Sequence, residues 1–178
     1  MTSGWKTIQS DLIFQNPWIE LYQDKVEIRT GKKMHYTWYK SSDVAVIVPF
    51  LNEDTLVMIR QYRYPLRKVL LEFPAGHIED GEDAEKTAKR ELLEETGYIA
   101  KEIQHVYTYH PSVSKSRQLV HIYRAKDLIE DKSNHDGTED IIKLEIVSTR
   151  ELRNMIKERK IESAGTLIAY LICCTGIV

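Results

Sequence analysis

Residues 76–98, here called the acidic segment, set several carboxylates and one arginine at fixed spacings. Glu91 and Glu95 are four residues apart and Glu94 lies beside them, so in a helix three negative charges share one side. Like charges at this spacing repel, and a fold that keeps them together needs a compensating cation. Hard carboxylate oxygens favour Mg²⁺ or Mn²⁺, whereas Zn²⁺ favours His or Cys. Arg90 can pair with one carboxylate and hold its rotamer. The segment therefore predicts a divalent-metal site.

Helix signals surround these carboxylates. Asp83 is a good N-cap, residues 84–96 are mostly strong helix formers, and Gly97 stands where a left-handed C-terminal cap is wanted. Ala88 and Leu92 mark an apolar side that is distinct from the charged side. The spacing predicts a helix of about three and a half turns over residues 84–96.

A solvated acidic helix face is the alternative interpretation. Against it stands the pattern G-x5-E-x7-R-E-U-x-E-E-x-G-U, in which U is a bulky aliphatic residue. The matching residues are Gly76, Glu82, Arg90, Glu91, Leu92, Glu94, Glu95 and Gly97. A chance match somewhere in the chain has a probability on the order of one in a million. The chain therefore resembles the Nudix hydrolases, with Tyr98 in place of the aliphatic residue at the last position.

The resemblance implies a hydrolase that cleaves a nucleoside diphosphate linked to another moiety. Mg²⁺ would be the cofactor, with Mn²⁺ as a substitute. Carried over residue by residue, the metal ligands would be Glu91, Glu95, Glu94 and the backbone carbonyl of Ala75. Metal ions that bridge the oxygens of a diphosphate lower the barrier to attack by water, because the diphosphate otherwise repels the nucleophile.

Two further residues of the pattern would support this site. Glu82 and Arg90 would orient the loop and the helix, and Glu94 is either a ligand or the residue that holds the water. Arg90 and Glu94 are therefore candidate catalytic residues.

An acidic loop covers residues 130–140. Related enzymes place a general base or an extra metal ligand on such a loop. Glu139 is accordingly the candidate base and Asp140 the candidate ligand. A flexible, solvated loop is the alternative for both residues.

Two stretches concern the substrate. Residues 60–63 and 71–76 look like the corresponding parts of the ADP-ribose and nucleoside-diphosphate-sugar pyrophosphatases. In that subfamily an arginine and a glutamate at the positions of Arg60 and Glu72 help to bind the substrate. The alternative is a surface arginine and a glutamate at the end of a strand.

A proline-containing loop stands at residues 110–116, where those enzymes also carry one. Pro111 supports the subfamily and is a candidate substrate-binding residue, whereas Ser112 replaces the glycine that usually follows the proline. Lys115 and Arg117 can meet phosphate oxygens, or they are simply solvated.

The three tryptophans, Trp5, Trp18 and Trp38, all lie in the amino-terminal part of the chain. Packing is their default role, but one aromatic ring can stack on a nucleobase, and Trp18 is the candidate. In the resembling pyrophosphatases this region exchanges between subunits and supplies base contacts. The resemblance thus implies a homodimer with shared sites.

Composition agrees with a modest enzyme of 178 residues and 20.8 kDa. A net charge of −2 and a pI near 6.3 give no electrostatic case for binding nucleic acid or a membrane, so the predicted partner is a small molecule. Cys173 and Cys174 are adjacent, so a disulfide between them would not link distant parts of the chain. This favours a reducing, cytoplasmic location. We find no targeting segment and no apolar run of the roughly 20 residues that span a bilayer.

Strands interleave with helices along the chain. Hairpins are predicted from 18–28 with 33–39 and from 44–50 with 56–62, further strands at 103–109, 119–125 and 141–147, and helices from 149 and over 163–173. This order predicts an α/β fold. The resemblance implies an α/β/α sandwich around a mixed sheet over residues 44–178. A small antiparallel sheet, predicted to serve dimerisation, would precede it in residues 1–43.

The predicted function is metal-dependent hydrolysis of ADP-ribose or a related nucleoside diphosphate sugar to a nucleoside monophosphate and a sugar phosphate. Alternatives within the class are GDP-mannose and damaged nucleotides. From another class, a non-catalytic nucleotide-binding module on the same fold is possible, although such a module is expected to lose carboxylates that this chain keeps.

Overall fold

The computed structural model describes residues 4–131 and 141–176. These residues form two units: residues 4–43 with 110–119, and residues 44–109 with 120–131 and 141–176. Each unit has its own sheet. Within the described residues, no helix is both long and apolar enough to span a bilayer.

The first unit holds three antiparallel strands in the order β1 (Lys6–Gln15), β2 (Glu20–Glu27) and β3 (Lys33–Lys40). The predicted hairpin of β2 and β3 is confirmed, and its turn contains Gly31 at φ 81°, a left-handed conformation that glycine adopts freely. Strand β1 was not predicted. All ten of its residues are exposed, so it lacks the burial-driven alternation by which a strand is recognised.

The second unit is built on a mixed sheet of seven strands among the described residues. They are β4 (Val44–Asn52), β5 (Thr55–Arg63), β6 (Lys68–Glu72), β7 (Ala75–His77), β8 (Tyr98–Tyr109), β9 (Val120–Glu130) and β10 (Ile141–Ser148), with a 3₁₀ turn at Tyr64–Leu66. The main path runs β10-β5-β4-β9-β8, while β6 pairs with β5 and β7 with β4. Among the described residues of this sheet, β4 and β9 pair in parallel and the other neighbouring strands pair antiparallel. The sheet is therefore mixed, as predicted.

Helices cover both faces of this sheet: α1 (Ala84–Thr96) on one face, α2 (Thr149–Lys157) and α3 (Ala164–Cys174) on the other. Strand β4 explains why, since Ala45 and Ile47 pack with α1 whereas Val46 and Val48 pack with the α2 and α3 side. Successive residues of a strand point to opposite faces, so a continuous apolar run is buried on both. The predicted α/β/α sandwich is confirmed.

The caps predicted for α1 are also observed. The side chain of Asp83 accepts a hydrogen bond from the amide of Glu85 at 2.9 Å, and Gly97 at φ 71° donates its amide to the carbonyl of Leu93 at 2.8 Å. Helix α2, which was predicted from residue 149, begins with a capping box of Ser148 and Glu151. The boundaries of α1 therefore follow from local residues alone.

Candidate active site

Strand β7 and helix α1 meet at Gly76. A Cβ atom placed on this residue would lie 1.9 Å from both Cδ and Oε1 of Glu91. No real side chain tolerates such a contact, so only glycine allows Glu91 to lie against the backbone of β7. The glycine that opens the acidic segment therefore positions the first predicted metal ligand.

Arg90 joins the carboxylates of α1 to those of the preceding loop. Its Nη1 donates to Oε1 of Glu91 at 2.7 Å and to Oε2 of Glu94 at 2.9 Å, and its Nε and Nη2 donate to the carboxylate of Glu82 at 3.3 and 3.2 Å. Nη2 also reaches the carbonyl of His77 at 3.4 Å. The sequence predicted a pair with one carboxylate, and the structure shows three.

These contacts shift the proton affinities on both sides. The hydrogen bond from Arg90, and then one from Thr87, lower the pKa of Glu82 below its ordinary value. The hydrogen bond to Glu82 in turn contributes most to raising the pKa of Arg90. Arg90 thus stays charged and its position is set by its partners.

Glu95 and Ala75 are brought together as predicted. The amide of Ala75 donates to Oε2 of Glu95 at 2.8 Å. Glu91 and Glu95 are only 5% and 4% exposed, whereas the side chain of Glu94 is 53% exposed. Two carboxylates of the set are therefore buried beside β7 and the third faces outward.

We tested whether these residues fit a divalent cation. We call Glu82, Glu91, Glu94, Glu95 and Arg90 the carboxylate cluster, in which Arg90 forms ion pairs with the first three of these carboxylates. Within the described residues, no three His, Cys, Asp or Glu side chains already form a closed set of ligands. The donors are nevertheless hard oxygens, and two are buried, where uncompensated negative charge is costly. This donor chemistry fits Mg²⁺ or Mn²⁺.

The two predicted substrate-binding residues of the β5–β6 hairpin are not brought together. Glu72, which is 7% exposed, accepts a hydrogen bond from Nε of Arg63 at 2.7 Å. Arg60 instead holds Glu145 through two bonds of 2.7 and 3.1 Å. In the register, Glu72 pairs with Ile59 and Arg60 with Leu71, so Arg60 and Glu72 lie on opposite faces of the sheet.

Arg63, which the sequence analysis did not single out, is the arginine that contacts Glu72. Leu71 packs in the core on the α2 and α3 side, so Glu72 and its partner Arg63 lie on the face that α1 covers. The odd-numbered spacing of residues 59, 61 and 63 was the available signal, because these positions share one face of an extended strand.

Trp18 and Pro111 belong to the first unit. Trp18 is 75% exposed and sits in the bend after β1, where the side chain of Asn16 accepts from its amide at 2.9 Å. Pro111 lies in the connecting segment between β8 and β9. Neither residue lines the cavity of the first unit that contains Trp38.

A cavity of about 440 Å³ in the first unit is lined by other aromatic residues, and we call it the aromatic cavity. Trp38 stacks on Tyr22 with ring centroids 4.6 Å apart, and the guanidinium of Arg117 lies 4.8 Å from the ring of Trp38. Nε1 of Trp38 donates to Asp24 at 2.9 Å. Trp5, Tyr36, Lys115 and Arg117 also line this cavity.

Glu139 and Asp140 lie outside the described residues. Their assignment as base and ligand stays a prediction.

Comparison with known proteins identifies the family of this chain. The NUDIX domain model matches residues 41–169. The chain is 32% identical over 166 residues to the ADP-ribose pyrophosphatase of Bacillus subtilis (strain 168), and 34% identical over 166 residues to the methanol dehydrogenase activator of Bacillus methanolicus. Each alignment covers 92% of this chain and 89% of the relative.

A solved structure described as an ADP compounds hydrolase has the same fold, with a TM-score of 0.84 at 19% identity over 94% of this chain and 91% of that one. The match of the domain model to most of the chain, together with these long alignments, shows that the chain belongs to the Nudix family, as a Nudix pyrophosphohydrolase.

Proposed function

We propose that the protein hydrolyses the diphosphate bond of ADP-ribose or a related nucleoside diphosphate sugar, with release of a nucleoside monophosphate and a sugar phosphate. The observation that carries this proposal is the carboxylate cluster held by Arg90 and seated against Gly76. The names of two relatives support the substrate class: the ADP-ribose pyrophosphatase of Bacillus subtilis and the ADP-sugar pyrophosphatase of Mus musculus, the latter 37% identical over 101 residues.

Nudix hydrolases generally use a divalent metal ion, and we propose Mg²⁺ here. Glu91, Glu94, Glu95 and the carbonyl of Ala75 would hold it. When bound, the ion would supply positive charge for the diphosphate oxygens and lower the pKa of a water molecule. Arg90 would keep Glu91 and Glu94 in place through its short hydrogen bonds. Of the residues beyond α1, Glu139 remains the proposed base and Asp140 a proposed further ligand.

For the phosphate groups we propose Arg63, oriented by Glu72. Both residues lie on the face of the sheet that carries α1, and a guanidinium can donate two parallel hydrogen bonds to phosphate oxygens. Arg60 remains a candidate from the sequence, but its bidentate contact with Glu145 on the other face supports a structural role.

For the nucleobase we propose the aromatic cavity. A planar base can stack on Trp38, and Arg117 or Lys115 can meet negative charge. Trp18 and Pro111 remain candidates from the sequence. We also propose a homodimer, because β1 exposes apolar side chains that include Ile8, Leu12 and Phe14. We propose a cytoplasmic location because Cys173 and Cys174 are free thiols.

The test is turnover of a panel that contains ADP-ribose, GDP-mannose, UDP-glucose and oxidised nucleoside triphosphates, with Mg²⁺ and with chelator. We expect ADP-ribose to give the highest kcat/KM and chelator to abolish activity. A different preferred substrate would reject ADP-ribose but keep the reaction class. Full activity in chelator would reject the metal-dependent mechanism.

One relative points to a second candidate function. The activator of Bacillus methanolicus is as similar to this chain as the pyrophosphatase of Bacillus subtilis. The second candidate is therefore a regulator that acts on another enzyme and binds a nucleotide. Saturable binding of ADP-ribose without Mg²⁺-dependent turnover of any panel member would favour it.

A further inference from the structure

The second unit has a cavity of its own, of about 380 Å³, which lies far from the carboxylate cluster along β4. Gly76 pairs with Ala45 near the start of β4, whereas the cavity begins at Phe50 and continues around the β4–β5 turn. Five residues of extended strand span about 17 Å. We call this space the Arg124 cavity, after the cation in its wall.

Two cations line the Arg124 cavity without an ion pair. Arg124 and Lys126 are two residues apart on β9, so their side chains project from the same face of the strand. Ile122 shows which face this is, since it packs in the core on the α2 and α3 side, opposite α1. Neither cation lies within ion-pair distance of a carboxylate in the part of the chain that the structure describes.

The protein uses only part of the hydrogen-bonding capacity of Arg124. Its Nη2 donates to the carbonyl of Cys173 at 3.2 Å, which caps the end of α3. Its buried Nε has no acceptor among the described residues. A half-buried guanidinium with an unmet donor is costly, and an anion that draws the guanidinium into the cavity would relieve this cost.

Carboxylates occupy the more exposed part of the same wall. Glu53, Asp54 and Asp127 are exposed, whereas Arg124 and Lys126 are half-buried. Asp127 adopts φ 51°, a left-handed conformation that is strained for a residue with a side chain and that recurs at ligand sites. The cavity thus has cations in its deeper part and hydrogen-bond acceptors at its rim.

This distribution fits one class of ligand. A phosphate group matches the fork of a guanidinium and the charge of a lysine. Carboxylate oxygens only accept hydrogen bonds, so they fit hydroxyl groups on the rest of the ligand. The cavity has the volume of a site for a small molecule. We propose that the Arg124 cavity binds a sugar phosphate, with the phosphate on Arg124 and Lys126 and the sugar hydroxyls on the rim carboxylates.

Titration calorimetry with ribose 5-phosphate, in chelator and with the full chain, tests this site. We expect saturable binding that Lys126→Ala weakens about tenfold or more, because a charge-assisted contact is lost. Lys101→Ala removes an exposed lysine of β8 and is the matched control, so it should leave Kd unchanged. Glu95→Gln alters the carboxylate cluster and should also leave Kd unchanged.

Three outcomes would overturn the proposal. If ribose 5-phosphate does not bind at millimolar concentration, the Arg124 cavity is not a site for it. If binding is lost in Glu95→Gln but kept in Lys126→Ala, ribose 5-phosphate binds at the carboxylate cluster instead. If inorganic phosphate binds as tightly as ribose 5-phosphate, the rim carboxylates do not bind the sugar hydroxyls. Because Lys126 is half-buried at the cavity wall, thermal unfolding of Lys126→Ala checks that the fold survives, and Lys126→Arg should restore binding.

Discussion

The carboxylate cluster and the aromatic cavity differ in what holds their side chains. In the cluster, charged groups are fixed by short ionic hydrogen bonds and by a glycine that permits close approach to Glu91. In the cavity, Trp38 is fixed by stacking on Tyr22 and by one bond to Asp24. The role that we propose for the first arrangement is hydrolysis of the diphosphate, and the role that we propose for the second is selection of the substrate. The two regions should therefore respond differently to substitution.

Glu95→Gln should have the largest effect and affect catalysis alone. It keeps the size of the side chain and its contact with the amide of Ala75 but removes one negative charge from the proposed ligand set. We expect kcat to fall about 100-fold or more, with the fold unchanged by circular dichroism.

The control for this change is Glu85→Gln on the exposed face of the same helix, where Glu85 forms an ion pair with Lys89 at 2.6 Å. It should leave kcat unchanged. Equal activity of Glu95→Gln and the wild-type protein would remove Glu95 from the site.

Gly76→Ala tests the close approach that holds the cluster. The added Cβ meets the carboxylate end of Glu91, so this side chain must leave its position, or the helix or the strand must shift. We expect a destabilisation of about 1–3 kcal/mol, measured by denaturant unfolding, together with a fall in kcat of about tenfold or more.

Gly165→Ala is the matched control, since its Cβ would lie 3.7 Å from the hydroxyl of Tyr109, an ordinary contact, within α3. It should be neutral or stabilising by up to about 1 kcal/mol, because alanine favours a helix. Similar losses in both variants would show that Gly76 has no special role.

A comparison of Arg63→Ala with Arg60→Ala shows which face of the β5–β6 hairpin carries the arginine that binds the substrate. Loss of Arg63 leaves buried Glu72 without its cation and removes the proposed phosphate contact. We expect KM for ADP-ribose to rise about tenfold for Arg63→Ala and to change less than threefold for Arg60→Ala. The reverse order would restore Arg60 as the substrate-binding arginine.

The parts that could be predicted from the sequence depend on local spacing. The caps at Asp83 and Gly97 and the set of Glu91, Glu94 and Glu95 follow from helix geometry over a few residues. The fold class follows from the order of elements and from the resemblance.

The parts that could not be predicted depend on register between strands. The contact of Arg63 with Glu72 requires the pairing of β5 with β6, and the stack of Tyr22 on Trp38 requires the pairing of β2 with β3. Trp18 was the candidate to stack on a nucleobase because of its residue type, but residue type does not reveal that it lies in an exposed bend. Long-range pairing therefore decides which arginine and which tryptophan we propose for each site.

Trp38→Ala should have the smallest effect and the most specific one. The substitution removes the ring that stacks on Tyr22 and faces Arg117 at 4.8 Å, but it changes no residue of the carboxylate cluster. We expect KM for ADP-ribose to rise about three- to tenfold with kcat nearly constant, because stacking contributes to binding of the base in both ground and transition states. Trp18→Ala, a change of the same size at an exposed position, should leave KM unchanged unless a partner copy covers it. Sedimentation separates these cases: a dimer that weakens in Trp18→Ala would place Trp18 at the subunit interface. A lower kcat in Trp38→Ala at constant KM would instead tie the aromatic cavity to the chemical step and remove the distinction between the two regions.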